Sequence, residues 1–327
     1  MGKDRMTFDL RALGKTQITL TPLGLGAWQF SQGQGLVGRF WPKLGDEVTL
    51  QIVKAAWEGG IRWFDTAEIY GHGASEEALS RALQSLQIAS NEAMIATKWW
   101  PLGRTSRSLA TSVPQRLKAL HGYPLTLYQI HQPWAFSSLK AQAGALTHVL
   151  QEQLVSSVGV SNFSAAAMRE MAHRLNDQGF PLASNQVRFN LLDRSIEKNG
   201  VLAEAEKLGV TIIAYSPLQQ GLLSGKFHQA GLRPTGFRRW NYRMSKAYLA
   251  RIKPLVDLMR EIGQHYHKTP TQVALNWIIT AYPHMLAIPG ATKPKQAQQL
   301  SDTLSFRLSP EECQTLSILS DKIISKS

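Results

Sequence analysis

Apolar residues in this chain fall into short continuous runs, separated by stretches in which they recur every three or four positions. The short runs read as strands buried on both faces. They cover residues 23–28, 61–65, 93–98, 125–131, 155–160, 183–187 (the weakest), 210–215 and 285–288. Helical spacing lies between them: Val48, Ile52, Ala55 and Ala56 fall on one face that ends at Gly59-Gly60. Val273, Ala274, Trp277 and Ile278 fall on another, behind a Thr269-Pro270 start signal. The first seven runs begin 38, 32, 32, 30, 28 and 27 residues apart, room for one strand and one crossover helix each. The last interval, 210 to 285, spans 75 residues and must hold an insertion. Eight such units, with no linker or low-complexity tract between them, predict an α/β chain folded as one (β/α)8 TIM barrel domain over residues 1–327.

Composition is ordinary for a globular chain, but charge is not. The formal net charge is +13, and residues 93–151 carry no acid at all. Residues 207–256 carry none either, against Lys207, Lys226, Arg233, Arg238, Arg239, Arg243, Lys246, Arg251 and Lys253. Such a field attracts anions. No helix-turn-helix, zinc-finger or RNP signature accompanies it, so nucleic acid is not the expected partner. The single cysteine, Cys313, precludes an internal disulfide and fits a reducing compartment. No run is long enough to cross a bilayer, and no secretory apolar core follows Met1, so a cytoplasmic protein is expected. His265-Tyr266-His267 lacks a third ligand, and no metal is expected there. Oligomeric state is left open.

On a barrel of this kind, active sites gather at the carboxyl ends of the strands. Those ends offer Asp65, Lys98 and His131, and the loop after the second strand adds Tyr70. A free phenol, with a pKa of about 10, is a poor acid at neutral pH. A nearby ammonium would favour the phenolate, an aspartate would hold that ammonium in place, and an imidazole could orient a carbonyl oxygen. Together the four groups can protonate an oxyanion as hydride reaches carbon. Singly, each has a structural explanation as a turn acid, a surface base, a core histidine or a rim aromatic.

In these residues the chain resembles the aldo-keto reductase family, on the branch holding plant and cyanobacterial reductases and potassium-channel β subunits. The resemblance covers residues 20–319. Phe64-Asp65-Thr66-Ala67-Glu68-Ile69-Tyr70-Gly71 is similar to the family's signature around its catalytic Asp and Tyr, Thr97-Lys98 to its lysine strand, and Leu127-Tyr128-Gln129-Ile130-His131 to its histidine strand. The resemblance implies that Asp65, Tyr70, Lys98 and His131 are catalytic. It implies an NADP(H) site in which Ser161, Asn162 and Gln186 hold the nicotinamide carboxamide, beside Gly26, Ala27, Trp28 and Asp65. Tyr215 would stack on the ring. Ser216, Pro217, Leu218, Gly221, Leu223, Gly225 and Lys226 would belong to a basic loop, about 217–245, folded over the pyrophosphate. Ile288, Gly290, Ala291, Thr292, Lys293, Gln296 and Gln299 would meet the adenosine and its 2′-phosphate. The chain departs from the family pattern at Ala27, where many members have Thr, at Gln299-Leu300, where Glu-Asn is usual, and at Gln296, where others carry Arg.

The activity so implied is reduction of an aldehyde or ketone, a small-molecule substrate, by hydride from NADPH with Tyr70 as general acid. The alternative is a cofactor-sensing regulatory subunit with little turnover that binds another protein. Trp28, Trp99, Trp100 and Trp134 stand at or just past strand ends and are expected, with Tyr70 and His131, to wall a pocket for flat or aromatic carbonyls. Gly33-Gln34-Gly35-Leu36-Val37-Gly38 matches the dinucleotide fingerprint only in letters. Pro42 and Gly45 deny the helix that the fingerprint needs, so a flexible loop on the substrate side is expected.

Overall fold

The computed structural model describes residues 9–228, 232 and 242–325. Its first strands, β1 (Arg11–Ala12) and β2 (Thr19–Leu20), pair as an antiparallel hairpin. The barrel follows as β3 (Leu25–Gly26), β4 (Trp63–Asp65), β5 (Met94–Trp99), β6 (Leu125–Ile130), β7 (Val158–Ser161), β8 (Leu182–Arg188), β9 (Thr211–Tyr215) and β10 (Met285–Ala287), each parallel to the next. Closure comes from the chain just before β3. Leu23 bridges Ala287, the Gly24 N–H donates to the Ala287 carbonyl at 2.9 Å, and the Ala287 N–H donates to the Pro22 carbonyl at 2.9 Å. The fold is a (β/α)8 barrel. All eight predicted runs are strands, although the run over 23–28 pairs only at β3, because Trp28–Phe30 turn into a 3-10 helix.

Strand alternation divides the barrel into two cores. Trp63, Ala96, Leu127, Ile213 and Leu286 point inward, where Leu13 and Leu20 of the hairpin cap them from below. Phe64, Ile95, Trp99, Tyr128, Ile130, Val158 and Val160 point outward against the helices. Gly24 is required by the inner layer, since a Cβ there would lie 2.4 Å from the Trp63 ring. Trp63, Trp99 and Trp277 are fully buried; truncating such a ring to alanine costs about 3–5 kcal/mol.

The helix over Asp46–Glu58 ends at Gly59 as expected, but its buried face is Thr49, Ile52, Val53 and Ala56, and Val48 is exposed. The long interval before β10 holds 3-10 turns at Gln219–Ser224, Lys226–His228 and Tyr242–Met244 and the helices Lys246–Tyr266 and Pro270–Ala281. The second of these helices starts on a capping box between Thr269 and Gln272, and buries Val273, Ala274, Trp277 and Ile278. Among the described residues no helix is long and apolar enough to cross a membrane.

Candidate active site

Asp65 ends β4, and Lys98 lies on the next strand, β5, with its side chain turned inward. The Lys98 ammonium donates to Asp65 Oδ1 at 2.5 Å and to the Thr66 carbonyl at 2.7 Å; both side chains are almost wholly buried. Asp65 Oδ2 accepts from Gln186 Nε2 at 2.8 Å and, at 3.5 Å, from Gln129 Nε2. The aspartate is thus tied to three strands, and its oxygens are the centre of the buried polar layer.

Tyr70 reaches the same mouth from the loop after β4. That loop is fixed by hydrogen bonds from the Tyr70 N–H to Ala67 at 3.0 Å and from the Ser75 N–H to Tyr70 at 3.1 Å. The Lys98 ammonium stands 5.4 Å from the centroid of the Tyr70 ring. His131 meets Tyr70 edge to face at 5.8 Å, and Trp28 stacks on its other side at 5.9 Å. The four groups predicted from the strand ends therefore converge. Their electrostatics differ from the expectation that the ammonium would make the phenol acidic. Burial raises the Tyr70 pKa, and Asp65 and Tyr215 add to it, so the hydroxyl keeps its proton throughout the neutral range. Burial lowers the Lys98 pKa, against the pull of Asp65. Burial and the nearby Lys98 hold the His131 imidazole neutral, and its Nδ1 has no partner.

A cavity of about 620 Å³ opens over this group. Gly26, Ala27, Trp28, Asp65, Tyr70, Trp100, His131, Ser161, Asn162, Gln186 and Tyr215 line its inner part, and Ser216, Pro217, Leu218, Gly221, Lys226, Ile288, Gly290, Thr292, Gln296 and Gln299 its outer part. The inner polar wall is rigidly cross-linked. Asn162, at φ +62°, donates through Nδ2 to the His131 carbonyl at 3.2 Å and accepts from Tyr215 Oη at 3.0 Å. Ser161 Oγ donates to the Gln186 carbonyl at 2.8 Å. At the far end, Gln296 Oε1 accepts from the Thr292 N–H at 2.8 Å and its hydroxyl at 3.1 Å. Leu223, Gly225, Ala291 and Lys293 do not line the cavity; Leu223 and Ala291 are buried behind it.

Two further expectations need correction. Trp99 is not a pocket wall. Lys98 faces into the barrel, so its neighbour faces out, fully buried, with Nε1 donating to Ser108 Oγ at 3.2 Å. The stretch expected to be a flexible loop contains one helical turn, Gly35–Gly38, and the Val37 carbonyl accepts from Trp28 Nε1 at 3.1 Å. Trp134 sits at the rim, 46% exposed, its ring edge to face with Trp100 at 5.3 Å. Arg233, Arg238 and Arg239 of the basic segment lie outside the described residues.

The structure also adds lining residues beyond the individual site residues expected from the sequence, some of them inside the two loops expected at this mouth. Val37, Trp41 and Pro42 line the substrate side, and Arg188, Gln220, Ser224, Thr269 and Thr271 the outer part. Arg188 was within reach of strand alternation, since it stands two residues after the inward-facing Gln186. The side-chain oxygens of Gln29 and Gln220, like His131 Nδ1, have no partner though buried at the wall of this cavity, which suits a polar ligand.

The family model named Aldo/keto reductase family matches residues 22–321. The chain belongs to the aldo/keto reductase family. Among its relatives in this family, an uncharacterized oxidoreductase of Mycobacterium tuberculosis is 35% identical over 277 residues, covering 84% of this chain and 82% of the relative. The chloroplastic pyridoxal reductase of Arabidopsis thaliana is 30% identical over 309 residues, covering 90% and 82%. Among solved aldo/keto reductase folds, the glycerol dehydrogenase of Gluconobacter oxydans matches with a TM-score of 0.82 at 27% identity, over 98% of this chain and 96% of that one. The chain thus belongs to a family that acts on small-molecule carbonyl substrates, and its relatives include oxidoreductases.

Proposed function

We propose that this aldo/keto reductase reduces aldehydes or ketones with NADPH, and that Tyr70 is the proton donor. The observation that carries the reading is the junction of a buried Lys98–Asp65 pair, a protonated Tyr70 and a neutral His131 at the floor of one cavity. Tyr215, Ser161, Asn162 and Gln186 would hold the nicotinamide, which when bound would supply the hydride for the carbonyl carbon. The chain's own residues do the rest. His131, neutral and edge-on to Tyr70, orients the carbonyl oxygen. Tyr70 releases its proton to that oxygen as negative charge develops there, and the phenolate left behind is stabilised by the Lys98 ammonium. Asp65 keeps that ammonium charged and aimed. Trp28, Trp41 and Trp100 exclude water and favour a flat carbonyl compound.

Lys226 at the wall, and the field of a chain with net charge +13, favour NADPH over the less anionic NADH. NADPH oxidation against a panel of aldehydes and ketones tests the reading. Turnover of none of them, with NADPH bound tightly, would favour a cofactor-sensing subunit instead.

A further inference from the structure

Among the described residues, three of the large hydrophobic side chains left exposed come from two neighbouring loops at the mouth of the barrel. Leu102 is 62%, Trp134 46% and Phe136 76% exposed. Single exposed apolar residues need no explanation, but a group of them beside a cavity does. The two loops are joined: the Phe136 N–H donates to the Arg104 carbonyl at 2.9 Å, and the Arg104 N–H donates to Pro101 at 2.9 Å around the turn that carries Leu102. Trp134 meets Trp100 edge to face at 5.3 Å, and Trp100 meets His131 at 5.1 Å. An apolar path therefore runs from the imidazole over Trp100 to Trp134 at the rim, beside Leu102 and Phe136.

The path is built to stay in place. The Glu68 carboxylate accepts from the Trp100 N–H and pairs with the Arg104 guanidinium, which also donates to the Trp100 carbonyl at 3.1 Å and to Ser108 Oγ at 3.0 Å. Glu68 is itself anchored to β5 by its N–H, which donates to the Lys98 carbonyl at 3.2 Å. This half-buried ion pair ties the ledge to the strand that carries the lysine.

We propose that this ledge is a subsite for the hydrocarbon tail of the substrate. The chain then takes aldehydes or ketones whose carbonyl sits between Tyr70 and His131 and whose long apolar tail lies along Trp100 and Trp134 toward Leu102 and Phe136. The assignment rests on the reductase reading above. The cavity of about 620 Å³ has to take a dinucleotide as well as the carbonyl end, so a long tail must leave over the rim. Beside His131, exposed apolar side chains continue outward to receive it.

The test compares kcat/KM for straight-chain aldehydes from butanal to decanal with NADPH, in the wild type, in Trp134→Ala and in a Leu102→Ser, Phe136→Ser double variant. Binding of 1-decanol and 1-butanol to the same proteins is measured in parallel by calorimetry. Full burial of a methylene is worth about fourfold, so a ledge covering one side of the tail should give about twofold for each. The decanal-to-butanal ratio in the wild type should then be roughly fiftyfold, and should fall to within a few-fold in either variant. A ratio near one in the wild type, or a ratio that the variants leave intact, overturns the subsite. If no aldehyde is turned over at all, it is the reductase reading that has failed. The alcohols then decide the ledge: it stands if 1-decanol binds more tightly than 1-butanol and the variants abolish the difference, and falls otherwise.

Discussion

In the proposed reaction Tyr70 carries the proton chemistry, and its setting makes the consequences of removing it specific. Tyr70→Phe keeps the ring stacked on Trp28 and against His131 while deleting only the hydroxyl. The expected result is a fall in kcat of about 10²–10⁴, the usual contribution of a positioned acid, with the NADPH dissociation constant unchanged in a direct binding titration. Activity retained in that variant would move the proton donor elsewhere. Lys98 differs from Tyr70 because it also holds the fold together. Lys98→Met leaves the Asp65 carboxylate buried without its cation, at a cost of about 3–5 kcal/mol in denaturant unfolding, besides the loss of turnover. The pH dependence follows from the directions of the shifts. Tyr70 holds its proton and His131 stays neutral across the neutral range, so reduction should show no limb near the ordinary histidine pKa. Its rate should fall only on the alkaline side, as Lys98, lowered from the ordinary lysine value, loses its charge. A kcat/KM profile that breaks near pH 6.5 would contradict this.

Elements deliver these residues, and the loop after β4 shows how. Gly71 follows Tyr70 at φ +72°, and a Cβ there would lie 2.4 Å from the Ser31 carbonyl oxygen. Gly71→Ala therefore meets both an unfavourable backbone conformation and a backbone atom that cannot swing aside. It should cost on the order of 3 kcal/mol and reduce kcat by displacing the phenol. Beneath the loop, Glu76 is fully buried, accepts from Thr97 Oγ1 at 2.5 Å, and pairs with Arg116 at 2.8 Å. Burial outweighs these partners and raises its pKa to about 7. A carboxyl raised in the folded state contributes stability that is fully present below its unfolded value and is lost as pH rises through about 7. Arg116→Met removes the partner of the charged form only. Its deficit in unfolding free energy should therefore be larger at pH 8 than at pH 5.5, and equal deficits would show that Glu76 does not change its charge between the two conditions.

Much of this level was legible in the sequence. Six near-regular intervals and strand-like runs were enough to place Asp65, Lys98 and His131 at one mouth, because a parallel barrel leaves strand ends nowhere else to go. Trp99 was misplaced by reading position along the strand without its parity: the inward Lys98 already required Trp99 to face the helices. The one-turn helix at Gly35–Gly38 was hidden because tertiary contacts hold it, among them the bond from the Trp28 indole, and no local periodicity marks four residues. Arg188 was visible in principle by the same parity rule that failed Trp99.

At the scale of the molecule, the uneven charge is what the barrel does not explain. A net charge of +13 is a statement about partners and association rates. Two strongly basic, acid-free segments lead to the site. One includes β5 and β6, and the other runs from the end of the helix Val201–Leu208 through the turns that carry Gln220, Ser224 and Lys226. A polyphosphate cofactor approaching this mouth should be drawn in from a distance, and the attraction should be screened by salt over about 8 Å at physiological ionic strength. Stopped-flow association of NADPH should therefore slow as ionic strength rises. Lys226→Gln should lower both the rate at low salt and the steepness of its salt dependence, because it removes a cation from the cavity wall itself. The size of the effect separates two roles. If the lysine only steers, the dissociation rate of NADPH is unaltered and the association rate falls by a few-fold. If it also grips the pyrophosphate, the dissociation rate rises as well, by about tenfold for a lost charge-assisted contact worth roughly 1.5 kcal/mol. An association rate indifferent to both salt and Lys226 would mean that the basic field serves another partner and that the cofactor enters without its help.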